Sequence, residues 1–244
     1  MGCLAKLQNH KWNLAMLPWA VLWDMDGTLV DTAELHFAAW RECCNQQGRD
    51  FTEADFQATF GRRNPEILRF LLGDHLTDEE VARLGEAKEQ IYRTQSRKTG
   101  IELLPGARKL LVAARDHGAV QAIGSSAPRG NLDMILELTG IGEFFTCTVG
   151  MEDTTRGKPD PQVFLIGAQR LHVPPQRCVV MEDAVAGIQA ATAGGMQSVA
   201  VRHVGHHPAE ALKAAGASLV VECLTELDGP NLVSLVLHLS LIHI

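Results

Sequence analysis

The chain has 244 residues, of which 46% are hydrophobic and 21% are charged, so it can bury a sizeable core and is not globally disordered. That length fits one large domain, or one domain that carries an insertion. The formal net charge of -7 argues against a general binder of nucleic acids or acidic membranes, although the local charge of a site can still suit a small phosphorylated substrate.

Six apolar stretches have the length and composition of buried strands. In chain order they are AVLWDM (ending near Met25), AVQAIGS (ending at Ser125), FFTCTVG, CVVME, QSVAV and SLVVE. Helix-like stretches accompany them at residues 106–117, 131–138, 161–171, 184–193 and 208–215. Strands that alternate with amphipathic helices indicate βαβ units, and therefore an α/β fold with a parallel sheet and helices on both faces.

The stretch from residue 34 to residue 99 differs from the rest of the chain. It is rich in helix formers, its apolar residues are spaced as in FAAWRECC and PEILRFLL, and it contains no convincing strand. We therefore predict an all-helical domain at residues 34–99, inserted after the first strand. The α/β core would then consist of residues 18–33 and 100–230.

Both ends and the cysteines bear on location. We interpret residues 1–17 as an N-terminal extension rather than a signal peptide, because no small-residue cleavage pattern follows. Residues 231–244 form an apolar tail that is too short to span a bilayer easily. Its last six residues, LSLIHI, resemble a translated sequencing-library adapter and are given no functional weight. The six cysteines include no C-x-x-C pair, which favours reduced thiols in a cytoplasmic protein.

Two aspartates, Asp24 and Asp26, directly follow the first predicted strand. Like charges this close repel each other unless a metal ion or a shared proton lies between them. Residues i and i+2 of a strand point to the same side, so both carboxylates can face one spot beyond the strand end, and Gly27 permits a sharp exit. An isolated D-x-D pair would more often be an Asp-rich turn.

Other polar residues occur near predicted strand ends. Ser125 and Ser126 end the second core strand, Lys158 lies in RGKPDP, and Glu182 and Asp183 follow CVVM. Taken singly these features are ordinary, because strand-end serines form turns, lysines are usually solvated and acids often cap helices. The glycine spacing before the lysine also does not match a Walker A loop. Together, however, they lie where open α/β sheets bind ligands.

The stretch DMDGTLVDT resembles the nucleophile motif of the haloacid dehalogenase superfamily. Three further motifs of that family are matched in the expected order by AIGSS, RGKPDP and CVVMED. DTAELHFAAW and GIQAATAGGM are similar to the β-phosphoglucomutase-like branch, whose members carry a helical cap after the first motif. The resemblance extends from Val21 to about Val221 and implies a Rossmann-like core with an inserted helical cap.

The resemblance implies a phosphoryl-transfer enzyme with named roles for four residues. Asp24 would attack phosphorus and form an aspartyl phosphate. Asp26 would protonate the departing oxygen and later take a proton from water. Ser125 and Lys158 would stabilise charge on the phosphoryl oxygens. Dehalogenases of the superfamily keep only the first aspartate, because a halide needs no proton, so the second aspartate favours phosphoryl transfer.

The implied cofactor is Mg²⁺, which would remove the repulsion between the acids. Its ligands would be the Asp24 carboxylate, the backbone carbonyl of Asp26, and Asp183, with Glu182 binding directly or through water. An all-oxygen set of this kind suits a hard octahedral cation.

The candidate substrate contacts are Gly27, His36, Arg62, Arg63, Lys88 and Ser126, with Lys88 a weaker candidate than the two arginines. Residues 32–36 would form the hinge into the cap, and His36 would reach the active-site acid. Arg62 and Arg63 are candidate anchors for a second phosphate or a sugar hydroxyl, although a solvated basic turn is an equally good interpretation. The mutase arginine aligns near Asn64 instead, which weakens a mutase assignment. His206 and His207 lack a third partner and are interpreted as a loop.

We predict a Mg²⁺-dependent phosphatase that cleaves a sugar phosphate or a similar small phosphomonoester. The alternative is a β-phosphoglucomutase, which returns the phosphate to a sugar instead of to water and begins with the same covalent step. A non-catalytic sugar-phosphate-binding protein is disfavoured, because Asp24, Asp26, Lys158 and Asp183 are all present. The expected partner is a small phosphorylated metabolite, with no nucleic acid or membrane, and the expected state is a monomer or a weak oligomer.

Overall fold

The computed structural model describes residues 18–59 and 61–242, with side chains described as far as Val236. The predicted extension at residues 1–17 lies outside the described residues, as do the last two residues of the tail. The five cysteines of the described part are free thiols: Cys43, Cys44, Cys147, Cys178 and Cys223.

One parallel sheet forms the centre of the molecule. Its strands are β1 (Trp19–Trp23), β2 (Ala119–Gly124), β3 (Cys147–Val149), β4 (Cys178–Glu182), β5 (Gln197–Val201) and β6 (Leu219–Val221). Their order in the sheet is β3-β2-β1-β4-β5-β6, and every pairing is parallel, with Val21 of β1 opposite Gln121 on one side and Val179 on the other. Each predicted strand is present.

Helices cover both faces of this sheet. They are α5 (Ala107–Asp116), α6 (Arg129–Thr139), α7 (Gln162–Arg170), α8 (Val185–Ala193), α9 (Ala209–Ala214) and α10 (Gly229–Ile242). Alternate residues of β1 explain the two layers. Trp19, Val21 and Trp23 pack against α5, α6 and α10, whereas Ala20 and Leu22 pack against α7 and α8. Burial on both faces requires a continuous apolar strand, so the prediction of a Rossmann-like α/β sheet is confirmed.

The insertion after β1 consists of helices in the described residues. These are α1 (Ala33–Asn45), α2 (Glu53–Thr59), α3 (Asn64–Leu72) and α4 (Asp78–Thr99). They share a separate apolar cluster that includes Trp40, Phe51 and Leu68. α4 begins with a capping box, in which the Thr77 hydroxyl accepts from the backbone N–H of Glu80 and the Glu80 carboxylate accepts from the backbone N–H of Thr77.

The C-terminal tail differs from the expectation. Residues 231–244 were predicted to be a tail beyond a core that ends at residue 230, but α10 begins at Gly229, and Leu232 and Val236 are buried in the main core. The stretch is apolar almost all round, so it lacks the polar face that marks an amphipathic helix. The core therefore continues at least to Val236.

Four short 3₁₀ helices complete the described structure, at Gly142–Phe144, Met151–Asp153, Pro175–Arg177 and Leu224–Glu226. Among residues 18–59 and 61–242, no helix has the length and apolarity needed to cross a bilayer.

Candidate active site

The carboxyl ends of β1, β2 and β4 open into a cavity of about 280 Å³ between the sheet and the helical insertion. β1 and β4 are the neighbouring strands at which the strand order reverses, and such a switch point leaves a crevice that binds ligands. The predicted site residues on the cavity wall are Asp24, Asp26, His36, Arg62, Lys88, Ser125, Ser126, Lys158, Glu182 and Asp183. Loops that are far apart in the chain therefore meet at one place.

Asp24 is held firmly at the end of β1. Its backbone N–H donates to the carbonyl of Met181 at 2.9 Å, which continues the ladder between β1 and β4. Asp24 is 6% exposed, and its carboxylate lies 2.5 Å from the ammonium of Lys158. Burial raises the pKa of Asp24 to about 7, with the nearby charge of Glu182 adding to the rise and Lys158 opposing it.

Lys158 is placed by two carboxylates. Its ammonium lies 2.5 Å from Asp24 and 2.6 Å from Glu182. Burial alone would lower the pKa of Lys158, but the two acids raise it above its ordinary value, so the side chain is a fixed cation. The second oxygen of Glu182 accepts from the backbone N–H groups of Asp183 and Ala184 at 2.8 and 2.7 Å. Glu182 therefore ties Lys158 to the end of β4.

Asp183 carries the observation that fits a metal ion. Its Oδ2 atom is buried and has no hydrogen-bond partner in the described structure. Carboxylate oxygens of Asp24, Glu182 and Asp183 lie within 4.8 Å of one another. Burial, followed by the charges of Glu182 and Asp24, raises the pKa of Asp183 well above its ordinary value. An oxygen-only cluster in which the buried Oδ2 of Asp183 has no donor suits a hard divalent cation. Asp24 and Asp183 are the acids with free capacity, because both oxygens of Glu182 already accept hydrogen bonds.

Gly27 lies against this cluster, outside the cavity wall. It has a φ of +80°, and a Cβ built on it would overlap the carboxylate of Asp183. The position therefore needs glycine for both its backbone conformation and its close approach.

Asp26 faces a separate group of donors. Its Oδ1 atom accepts from the hydroxyl of Thr32 and lies 3.5 Å from Nε2 of His36. Nδ1 of His36 lies 2.8 Å from the ammonium of Lys88, which can only donate, so the imidazole directs its own N–H at Asp26. Burial would raise the pKa of Asp26, but His36, Thr32 and Lys88 lower it below its usual range. Asp26 is therefore ionised and must gain a proton before it can act as an acid.

Comparison with known proteins identifies the family. The family model for haloacid dehalogenase-like hydrolases matches residues 21–201. The chain belongs to this family. Like the family members with phosphatase and phosphoglucomutase names that it matches, it is an enzyme of the phosphohydrolase and phosphotransferase kind.

Several relatives match most of this haloacid dehalogenase-like chain. It is 32% identical to the beta-phosphoglucomutase of Bacillus subtilis over 214 residues, which are 85% of this chain and 91% of the relative. It is also 32% identical to the fructose-1-phosphate phosphatase YqaB of Escherichia coli over 183 residues, 75% of this chain and 95% of the relative. The crystal structure of a beta-phosphoglucomutase from Clostridium difficile has a TM-score of 0.82 at 27% identity, and the match covers 92% of this chain and 100% of that one.

The serines of the second family motif lie at the end of β2. The backbone N–H of Ser125 donates to the carbonyl of Val149 at 3.0 Å, and its hydroxyl oxygen accepts from the backbone N–H of Ala127 at 3.1 Å. Both Ser125 and Ser126 line the cavity. The hydroxyl proton of Ser125 is therefore available for an oxygen of a ligand.

The two arginines after Gly61 have different surroundings. Arg62 lines the cavity, is exposed, and lies over the ring of Phe70 at 6.0 Å. The guanidinium of Arg63 instead donates to the backbone carbonyls of Met151 and Thr154 at 2.9 and 3.1 Å. Arg63 therefore joins the helical insertion to the loop that precedes the third family motif, and it lies outside the cavity wall.

Several residues that line the cavity were not predicted from the sequence. Trp40, Phe56 and Ile67 give the insertion an apolar wall, and Asn64, Glu89 and Asn131 add a polar patch. His207 of the loop after β5 also reaches the cavity. The one sequence signal for the polar patch is an acid, Glu89, next to Lys88 on a helix. Adjacent positions on a helix do not usually face each other, so this signal is weak.

Proposed function

We propose that the protein is a Mg²⁺-dependent phosphatase that cleaves a sugar phosphate or a similar small phosphomonoester through an aspartyl phosphate on Asp24. The observation that carries the proposal is the meeting of a buried carboxylate, a fixed lysine cation and an unpartnered acid oxygen in one cavity. Asp24, Lys158 and Asp183 supply these groups. The names of relatives that act on phosphorylated sugars support the substrate class.

In the first step an oxygen of Asp24 attacks phosphorus. A bond forms between that oxygen and phosphorus, and the ester P–O bond breaks. Asp26 takes up a proton from solvent before this step and passes it to the departing oxygen, while the N–H of its neighbour His36 stays directed at its carboxylate. Lys158 and the Ser125 hydroxyl stabilise charge on the phosphoryl oxygens.

In the second step water attacks the phosphorus of the aspartyl phosphate. Asp26 takes the proton that the water loses, the bond from phosphorus to Asp24 breaks, and inorganic phosphate leaves. Proton transfer by a placed side chain contributes about 10²–10⁴-fold to the rate. Both steps thus use one acid–base residue in opposite directions.

A divalent cation would be held by Asp24 and Asp183, which belong to the buried acid cluster, and by the backbone carbonyl of Asp26. Glu182 would act mainly by holding Lys158, because both of its oxygens already accept hydrogen bonds. Bound Mg²⁺ would offset the negative charge that the phosphate brings to a cluster of acids.

The second candidate is a phosphoryl transfer of the β-phosphoglucomutase kind. Its support is the 32% identity to the Bacillus subtilis enzyme over 85% of this chain. The two candidates share the first step and differ in whether water or a sugar phosphate accepts the phosphoryl group.

The test is a panel of phosphorylated sugars assayed with and without Mg²⁺. Steady release of inorganic phosphate that disappears on chelation supports the phosphatase. A requirement for a bisphosphate activator, without net phosphate release, supports the mutase instead. Asp24→Asn keeps the shape of the side chain and should abolish turnover while the far-UV circular dichroism stays unchanged. Substantial retained activity in that variant would mean that another residue is the nucleophile.

A further inference from the structure

The cap side of the cavity contains a buried ion pair that the proposed mechanism does not use. Lys88 and Glu89 are adjacent in α4 and are 1% and 2% exposed, and both line the cavity. We propose that Glu89 makes this end of the cavity select substrates that carry a single phosphate and, at the end away from it, an uncharged group with hydroxyls. This proposal rests on the proposed phosphatase function.

Lys88 is fully engaged by the protein. Its ammonium lies 2.8 Å from Nδ1 of His36 and 2.9 Å from Oε1 of Glu89. The aromatic rings of Trp40 and Tyr92 lie 5.1 and 5.3 Å from it. Its charge is therefore balanced within the protein, and it brings no surplus positive charge to a ligand.

Glu89 is locked in its ionised form by three donors. Its Oε1 atom accepts from Lys88 and from the amide of Asn64 at 2.7 Å, and its Oε2 atom accepts from the amide of Asn131 at 2.6 Å. Asn64 lies in the cap and Asn131 in the core helix α6. The carboxylate thus bridges the two domains at the cavity wall, and its position and charge are both set by the fold.

The charges of the whole wall leave little attraction for a second phosphate. Five carboxylates line the cavity: Asp24, Asp26, Glu89, Glu182 and Asp183. Of the lining lysines and arginines, Lys158 is paired with two of these acids, Lys88 is paired with Glu89, and Arg62 is exposed to solvent. A phosphate at the cap end would meet a buried carboxylate at low dielectric, where like charges repel strongly.

An uncharged group bearing hydroxyls fits the same place. A carboxylate has about four lone-pair sites, of which three on Glu89 are used, so one remains for a substrate hydroxyl. The neighbouring wall of Trp40, Phe56 and Ile67 is apolar and suits the carbon face of a sugar or polyol. The same carboxylate therefore attracts a hydroxyl and repels a phosphate.

This selectivity also separates the two candidate functions. A mutase that returns its phosphoryl group to a sugar phosphate must form and hold a sugar bisphosphate. A cap end that rejects the second phosphate disfavours that intermediate and leaves water as the acceptor.

The test compares matched substrates that differ by one phosphate. Fructose 1-phosphate and fructose 6-phosphate are assayed beside fructose 1,6-bisphosphate, and glucose 6-phosphate beside glucose 1,6-bisphosphate, with wild type, Glu89→Gln and Glu86→Gln. Glu86 lies on the same helix, and its side chain is 68% exposed and pairs with Arg93 outside the cavity. Because Arg93 also donates to Asn131, a partner of Glu89, Glu86→Gln is the matched control for a disturbance of this network that leaves the charge of Glu89 in place.

The wild type should prefer the monophosphates in kcat/KM by about tenfold or more. Glu89→Gln should shift that preference toward bisphosphates by about tenfold, because it frees the charge of Lys88. Glu86→Gln should leave the preference as it is. A general structural defect in Glu89→Gln would lower kcat/KM for monophosphates and for bisphosphates together and leave the ratio of the two unchanged.

A wild type that hydrolyses bisphosphates as well as monophosphates would overturn the inference, and this measurement needs no folded variant. A Glu89→Gln variant that keeps the wild-type kcat/KM on the monophosphates and shows an unchanged ratio would overturn it too. If the wild type hydrolyses no phosphomonoester at all, including p-nitrophenyl phosphate, the proposed phosphatase function itself fails, so the two failures are distinguishable.

Discussion

The buried carboxylate of Glu89 should give the folding stability a measurable pH dependence. Burial alone would raise its pKa, but Lys88, His36 and the amides of Asn131 and Asn64 lower it from 4.5 to about 2. A carboxyl group whose pKa is lower in the folded state contributes stability above its unfolded pKa and loses it as the pH falls through the folded value. The contribution at neutral pH is therefore about 3 kcal/mol, and it is lost between about pH 4.5 and pH 2.

Replacing Glu89 with Gln removes this titration. The difference in the free energy of unfolding between wild type and Glu89→Gln should shrink by about 1 kcal/mol from pH 7 to pH 3.5. At pH 3.5 the wild-type Glu89 takes up a proton when the protein unfolds, and this uptake favours the unfolded state. Urea denaturation at both pH values measures the difference, and Glu86→Gln shows what the loss of an exposed carboxylate from the same helix does.

A difference that stays constant, or that grows as the pH falls, would mean that Glu89 is not ionised and paired in the folded protein. The selectivity proposed for the cap end would then lose its physical basis, because a neutral carboxyl group does not repel a phosphate.

Other variants test separate parts of the site. Asp26→Ala should slow hydrolysis of sugar phosphates more than that of p-nitrophenyl phosphate, whose leaving group needs little protonation; equal losses would argue against an acid role. Without metal, the free energy of unfolding of Asp183→Asn should be about 1 kcal/mol higher than that of wild type, because the substitution removes a buried like charge. Mg²⁺ should raise the Tm of wild type alone. A less stable metal-free variant would contradict this. Arg63→Met should lower kcat/KM by about tenfold, because two hydrogen bonds join cap to core; unchanged kinetics would exclude that role.

The strands of the core are predictable because a strand between two layers of helices must be apolar on both faces. The run WAVLW shows this directly, since every residue of β1 is buried. The acids of the site follow from their place just after such runs, because a parallel sheet brings its carboxyl ends to one edge. Lys158 lies farther from its strand, beyond the 3₁₀ helix that follows β3, and was found through the family motif RGKPDP. Periodicity and strand-end chemistry are local properties of the chain, so the sequence carries them.

Other parts depend on contacts that no local pattern records. Arg62 and Arg63 are equivalent in the sequence, yet Arg62 faces the cavity and Arg63 binds backbone carbonyls of a distant loop. The role of Glu89 depends on Asn131, which is 42 residues away in the chain. The helix α10 was missed because a helix that is apolar almost all round has no periodicity to detect.

The proposed function depends most directly on the phosphorylation of Asp24 during turnover. Wild type and Asp24→Asn are mixed with a hydrolysed substrate, quenched in acid within the first turnover, digested and analysed by mass spectrometry. The peptide that contains Asp24 should carry one added phosphoryl group in the wild type and none in the variant. A phosphoryl group on a different residue, or steady hydrolysis with no phosphorylated peptide at any quench time, would show that Asp24 is not the nucleophile.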